Sequence, residues 1–183
     1  MQTRIVVLSG SPGTGKTTLA RMLAENSILE KTAHIELDDF WEYIRKGYIP
    51  PWAGGGGDGS QNETVIEAVA LSAEKFAQNG YEVFVAGGIG PWFIEPWLKI
   101  AQKGVDVRYV VLRPNEATAI LRATERTQRD SFPLTVEAVK NLWYSFADLG
   151  VYKSNTVDTT GQTVEESARL IEKMINEDCF RIL

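Results

Sequence analysis

The chain has 183 residues, 44% of them hydrophobic and 23% charged, and its 19 Lys and Arg against 24 Asp and Glu leave a formal charge of -5. This is a globular composition of one domain's length, which excludes a disordered or fibrous chain, and its acidic balance argues against general nucleic-acid binding. A lone cysteine, Cys179, excludes a disulfide scaffold, and a lone histidine, His34, excludes a site built from several histidines.

Along the chain, Ile5 to Leu8 is an apolar, mostly β-branched run cut off by Gly10, the pattern of a short strand buried on both faces. A helix is predicted from near Gly15 to Glu25, with Leu19, Met22 and Leu23 on one side. Ala33 to Leu37 reads as a second strand closed by Asp38-Asp39, and Phe40 to Lys46 as a short helix. Pro50 to Ser60, with its four consecutive glycines, reads as loop. Asn62 is the expected N-cap of a long helix that buries Val65, Ile66, Val69, Ala70, Ala73, Phe76 and Ala77 and stops at Asn79-Gly80.

Glu82 to Ala86 is a third strand, broken by Gly87-Gly88-Ile89-Gly90-Pro91. Ile94 to Gln102 turns helical after Pro96. Val105 to Leu112 is a fourth strand, Asn115 to about Gln128 a polar helix, and Arg129 to Pro133 a break. Thr135 caps a helix whose apolar stripe is Val139, Leu142, Trp143 and Phe146. Thr156 to Asp158 is a weak fifth strand. Thr163 with Glu166 forms a capping box opening the last helix, which buries Val164, Ala168, Ile171, Met174 and Ile175. Strands alternating with helices predict an α/β fold, a five-stranded parallel sheet with helices on both faces. No run of about 18 apolar residues reads as a membrane span. A cytoplasmic chain is expected, with 1–183 as one domain.

The strongest signal is Gly10-Ser11-Pro12-Gly13-Thr14-Gly15-Lys16-Thr17, which satisfies G-x-x-x-x-G-K-[ST] between a buried strand and a helix. Glycines let the backbone curl so that successive N–H groups face phosphate oxygens, and the helix N-terminus adds partial positive charge. Thr18 stands beside them. Lys16 is the expected cation on the β- and γ-phosphates, and the Thr17 hydroxyl the expected ligand of Mg²⁺.

With this motif the chain resembles the P-loop nucleoside triphosphatases. It lacks a suitably placed N-K-x-D or D-x-x-G pair, against a GTPase. The third strand ends Val85-Ala86-Gly87-Gly88, with no acid for a hydrolytic ATPase. The acids stand instead as Asp38-Asp39-Phe40 after the second strand. This arrangement resembles the small-molecule kinase branch, the nucleoside and nicotinamide riboside kinases and the AAA_33-type P-loop kinases. The resemblance implies a three-layer kinase fold, ATP with Mg²⁺, and Asp38 acting on an acceptor hydroxyl. It leaves Asp39 either assisting through metal-bound water or capping a helix. It further implies a short lid near 122–133 whose arginines, Arg122, Arg126 and Arg129, reach ATP, with Arg126 the favoured catalytic cation. The loop Asp158 to Gln162 falls where such kinases hold the adenine.

Acceptor recognition is expected from the loops after strands two and three, with Asp38, Asp39, Trp41, Trp52, Gly88 and Trp92 as pocket members. Trp97 and Trp143 are assigned to packing. These readings predict an ATP-dependent phosphotransferase acting on a hydroxyl of a small molecule, without nucleic acid or membrane as partner. The competing reading is an ATPase or nucleotide switch without an acceptor. A polynucleotide 5′-hydroxyl as acceptor is disfavoured by the charge.

Overall fold

Runs that are apolar on both faces take the middle of the sheet, and the runs of mixed polarity take its edges. The structure, a computed structural model, describes residues 3–51, 60–127 and 134–183. β1 (Arg4–Ser9), whose Ile5 to Leu8 are fully buried, is central. β3 (Glu82–Ala86) and β4 (Asp106–Leu112) flank it. β2 (Thr32–Glu36) and the two-residue β5 (Thr156–Val157) are the edges. The order is β2-β3-β1-β4-β5 and every pairing is parallel.

Strand alternation sends the side chains to two separate cores. Ile5, Val7, Val83, Val85, Val107 and Tyr109 pack with α3 (Ser60–Gln78) and α4 (Glu95–Gln102). Val6, Leu8, Phe84, Ala86, Val110 and Leu112 pack with α1 (Lys16–Asn26) and α7 (Val164–Asn176). The expected α/β architecture with helices on both faces is therefore present. Thr135 caps α6 (Val136–Ser145) by accepting from the Ala138 N–H, and the Thr163–Glu166 capping box opens α7. Trp97 is fully buried, as a packing residue should be.

Three local expectations change. α2 (Leu37–Glu42) begins directly at the end of β2 instead of at Phe40, so Asp38 and Asp39 lie inside its first turn. There they favour the positive helix end, but neither is the cap, which is Glu36, whose side chain makes no capping bond to the helix. α3 starts at Ser60, and Asn62, inside it, donates instead to the Pro51 carbonyl at 3.2 Å. Phe76 is 42% exposed and packs edge-on against Tyr81, off the buried stripe.

The C-terminal residues return to the start of β4. Tyr109 N–H donates to the Phe180 carbonyl and Ile182 N–H to that of Val107. Arg108, 3% exposed, donates to Asp106, the Cys179 carbonyl and Asp178. No helix among the described residues is long and apolar enough to cross a membrane.

Candidate active site

The phosphate loop leaves β1 and enters α1 at Lys16. Its glycines are required at two positions. A Cβ on Gly10 (φ +139°) would lie 2.4 Å from the Leu112 carbonyl oxygen. One on Gly13 (φ +79°) would lie 2.1 Å from that of Ala119, in α5 (Glu116–Thr127). Gly13 thus lets α5 close onto the loop. The Thr14 hydroxyl and the Lys16 ammonium each donate to the Ser11 carbonyl at 2.9 Å. Gly15 precedes α1 in a left-handed conformation without a side-chain cap, so no side chain competes for the helix N-terminus.

Two cavities meet at this loop. The first, of about 710 Å³, runs along Gly13 to Leu19 and is walled by Arg122 and Glu125 of α5 and by Thr159 and Gln162 to Glu165. The second, of about 460 Å³, is entered from Gly10, Ser11, Pro12, Gly13 and Lys16 and holds Asp38, Trp41, Gly88 and Trp92 on its walls. Gly13 and Lys16 belong to both. The predicted loop residues therefore divide: Thr14, Gly15, Thr17 and Thr18 face the first space, Gly10, Ser11 and Pro12 the second.

The wall of the first cavity is tied together by hydrogen bonds between distant stretches of the chain. Arg122 donates to the Thr159 and Gln162 carbonyls, both at 3.3 Å, tying α5 to the turn before α7. The Thr160 hydroxyl and its N–H bond Asp158 and hold that carboxyl below its usual range. The Thr159 hydroxyl is buried without a partner on the same wall. Arg113 lies over the Trp143 ring at 4.0 Å, and Trp143 donates to the Pro114 carbonyl, so this pair docks α6 at the foot of α5.

The second cavity draws on many elements. Trp41 is 6% exposed and comes from α2; Trp92 is 53% exposed and follows the glycine turn. Ser9 and Tyr109 both donate to the Ile89 carbonyl, at 2.6 and 2.7 Å, and fix that turn beside the loop. Burial pushes the Tyr109 phenol well above its ordinary range, so it stays a donor. A Cβ on Gly88 would meet nothing within 4 Å, whereas one on Gly90 would lie 2.3 Å from the Trp92 ring. Ile66, Phe93, Leu142 and Phe146 complete an apolar enclosure absent from the sequence-based assignment.

Not every expected residue arrives. Asp39 is exposed and on the wall of neither cavity, because successive residues of a helical turn point about 100° apart. Arg126 lies near the end of α5, with its side chain outside the described residues. Trp52 and Arg129 also lie outside them.

The residue that sequence reading missed is Glu36. The Thr17 hydroxyl donates to its Oε1 at 2.9 Å. Its Oε2 is buried without a hydrogen bond, 3.4 Å from His34 Nε2. In the sheet Glu36 stands opposite Ala86, the end of β3, so the acid missing from β3 is supplied one strand over at the same level. The available signal was polar alternation: His34 and Glu36 share one strand face. A hydroxyl oxygen that has donated its proton, beside a carboxylate with a spare oxygen, fits Mg²⁺, a hard cation that prefers oxygen ligands. No cluster of three or more His, Cys, Asp or Glu forms a metal cage among the described residues.

A family model described as an AAA domain, AAA_33, matches residues 5–149. Among solved structures, the Deinococcus radiodurans tunicamycin resistance protein is 20% identical, covering 94% of this chain and 95% of that one at a TM-score of 0.65. Shikimate kinase from Acinetobacter baumannii, in complex with shikimate, is 20% identical over 98% and 96%, with a TM-score of 0.65. The Mycobacterium tuberculosis APS kinase CysC, in complex with AMPPNP and APS, is 16% identical over 96% and 98%, at 0.64. No curated protein matches. At these identities the solved structures are alike in fold, while the family model spans most of the chain: the protein is a member of the AAA_33 family with the fold of the P-loop small-molecule kinases.

Proposed function

We propose that the protein transfers the γ-phosphoryl group of ATP to a hydroxyl of a small molecule, in a Mg²⁺-dependent reaction. The observation that carries this reading is the junction of the two cavities at Gly13 and Lys16, with Asp38 on the wall of the second. A nucleotide in the first cavity would present its terminal phosphate where an acceptor in the second can reach it.

In this reading the acceptor oxygen forms a bond to the γ-phosphorus. The bond from that phosphorus to the β–γ bridging oxygen breaks, and its electron pair leaves with ADP. Asp38 orients the acceptor hydroxyl and takes its proton. Lys16 and the loop N–H groups hold the phosphate charge. Mg²⁺, when bound, neutralises phosphate oxygens; Thr17 and Glu36 are the residues that would hold it, directly or through its waters. Arg122 keeps the nucleotide wall in place, and Arg126 and Arg129 are assigned to the transferring phosphoryl, in a lid near 122–133. The whole of 1–183 acts as one domain.

The test is phosphoryl transfer from γ-labelled ATP to a panel of alcohols, nucleosides, sugars and aminoglycosides. Label appearing on an acceptor, with ADP release dependent on that acceptor, is the expected result. Steady hydrolysis indifferent to every acceptor would establish the ATPase or switch reading instead.

A further inference from the structure

We infer that the second cavity selects an uncharged alcohol with a substantial apolar, aromatic-bodied frame, and rejects carboxylated or phosphorylated acceptors. This rests on the phosphotransferase reading of the same site and adds the chemistry of its acceptor. Among the described residues, the charged side chains on that cavity's wall are Lys16 and Asp38. Both are committed to the reaction: Lys16 belongs to the phosphate loop and Asp38 faces the acceptor hydroxyl. Among the described residues no further cation lines the wall to neutralise an anion on the acceptor. Arg45 and Lys46 are exposed and outside the lining. Enclosing an unpaired carboxylate there would strip it of water with nothing to compensate its charge.

The rest of the wall favours apolar surface. Trp41, Ile66, Trp92, Phe93, Leu142 and Phe146 reach it from four separate elements. The Trp92 ring centroid stands 5.6 Å from that of Phe146 and 6.3 Å from that of Phe93, so these three rings form one cluster on the wall. Asn62 and Ser145 add neutral polar groups that suit a few hydroxyls or amides on such a frame. A space of about 460 Å³ is in the range of sites for small, drug-sized ligands. A bare sugar would leave this apolar wall unused.

Matched probes separate the terms. Benzyl and methyl β-D-glucoside differ in apolar body alone, and benzyl β-D-glucuronide differs from the first in carrying a carboxylate in place of the 6-hydroxymethyl group, its ring hydroxyls kept. Uridine with uridine 5′-phosphate, and 2-phenylethanol, widen the panel. Binding is measured by calorimetry on the full chain with a non-hydrolysable ATP analogue present, and transfer with ATP. Uncharged aromatic members should bind about tenfold or more tighter than the anionic and the non-aromatic ones. Trp92→Ala, at a half-exposed position, should cost them about tenfold, and Leu142→Arg should shift preference toward the glucuronide. Preference for an anionic or a non-aromatic probe, or binding of no uncharged aromatic alcohol, overturns the inference. Transfer to an anionic acceptor would do so while leaving the kinase reading intact. Tight binding of the benzyl glucoside without transfer would uphold the selectivity and remove the kinase reading.

Discussion

The two cavities that meet at the phosphate loop share Gly13 and Lys16, yet they are assembled in different ways. The first takes most of its wall from two stretches, the phosphate loop running into α1 and the turn entering α7, and it relies on backbone groups, glycines and hydroxyls. The second gathers single side chains from α2, α3, the turn after β3 and α6, and most of them are apolar. Phosphate is the same in every nucleotide, so a fixed backbone curl suffices to bind it. An acceptor's shape is particular, and side chains from separate elements must converge on it. The loop of the first region is thus set by local geometry, though Arg122 must tie its far wall together, and the second region is set by how helices pack on the sheet.

The largest effect expected is on the shared loop. Lys16→Ala should lower acceptor-dependent ADP release by about 10³-fold or more, since a preorganised charge at the phosphoryl is removed. Gly13→Ala should lose ATP binding, read by calorimetry, because its Cβ would meet the Ala119 carbonyl oxygen at 2.1 Å. Gly88→Ala, in open space on the acceptor side, should keep ATP affinity. Equal tolerance at both glycines would break the contrast between the cavities.

Asp38→Asn comes next. Transfer should fall about 10²- to 10⁴-fold with ATP affinity unchanged, and undiminished transfer would remove Asp38 as the base. Glu36→Gln should raise the Mg²⁺ concentration needed for half-maximal activity about 10- to 100-fold, with little change in acceptor KM. A change in acceptor KM alone would move Glu36 to the other cavity.

The smallest effect lies away from both. Hydrogen bonds from Arg108 and Arg181 hold the Asp178 carboxyl below the usual range. Its folded pKa is depressed, so its contribution to stability is full above the ordinary aspartate value of about 3.9 and is lost as pH falls through the lower folded value. Asp178→Asn should flatten the fall of Tm with acid in that window and leave transfer at neutral pH untouched. An unchanged acid profile would show that the bonds from Arg108 and Arg181 to Asp178 contribute nothing there.

Glu36 and Asp38 show how far the sequence could be read. Asp38 was legible because acids after a second strand are recognisable beside a phosphate loop. Glu36, two residues earlier, read as part of the strand, because only pairing opposite Ala86 brings it to the Thr17 hydroxyl. Asp39 was overcounted for a related reason: a loop would have let both aspartates turn inward, and a helix begun at Leu37 admits one. Ile66, Leu142 and Phe146 had the pattern of ordinary packing residues, and nothing local marks an apolar side chain as a cavity wall.

By itself the sequence determined the strand and helix alternation, the caps at Thr135 and Thr163, and the phosphate loop, because each depends on contacts a few residues apart. Tertiary structure alone decided which loop residues face which cavity, that Glu36 meets the Thr17 hydroxyl, and that the wall of the second cavity is mostly apolar. Those depend on register between strands and on helices meeting across the sheet, which bring together side chains such as Thr17 with Glu36 and Trp92 with Phe146.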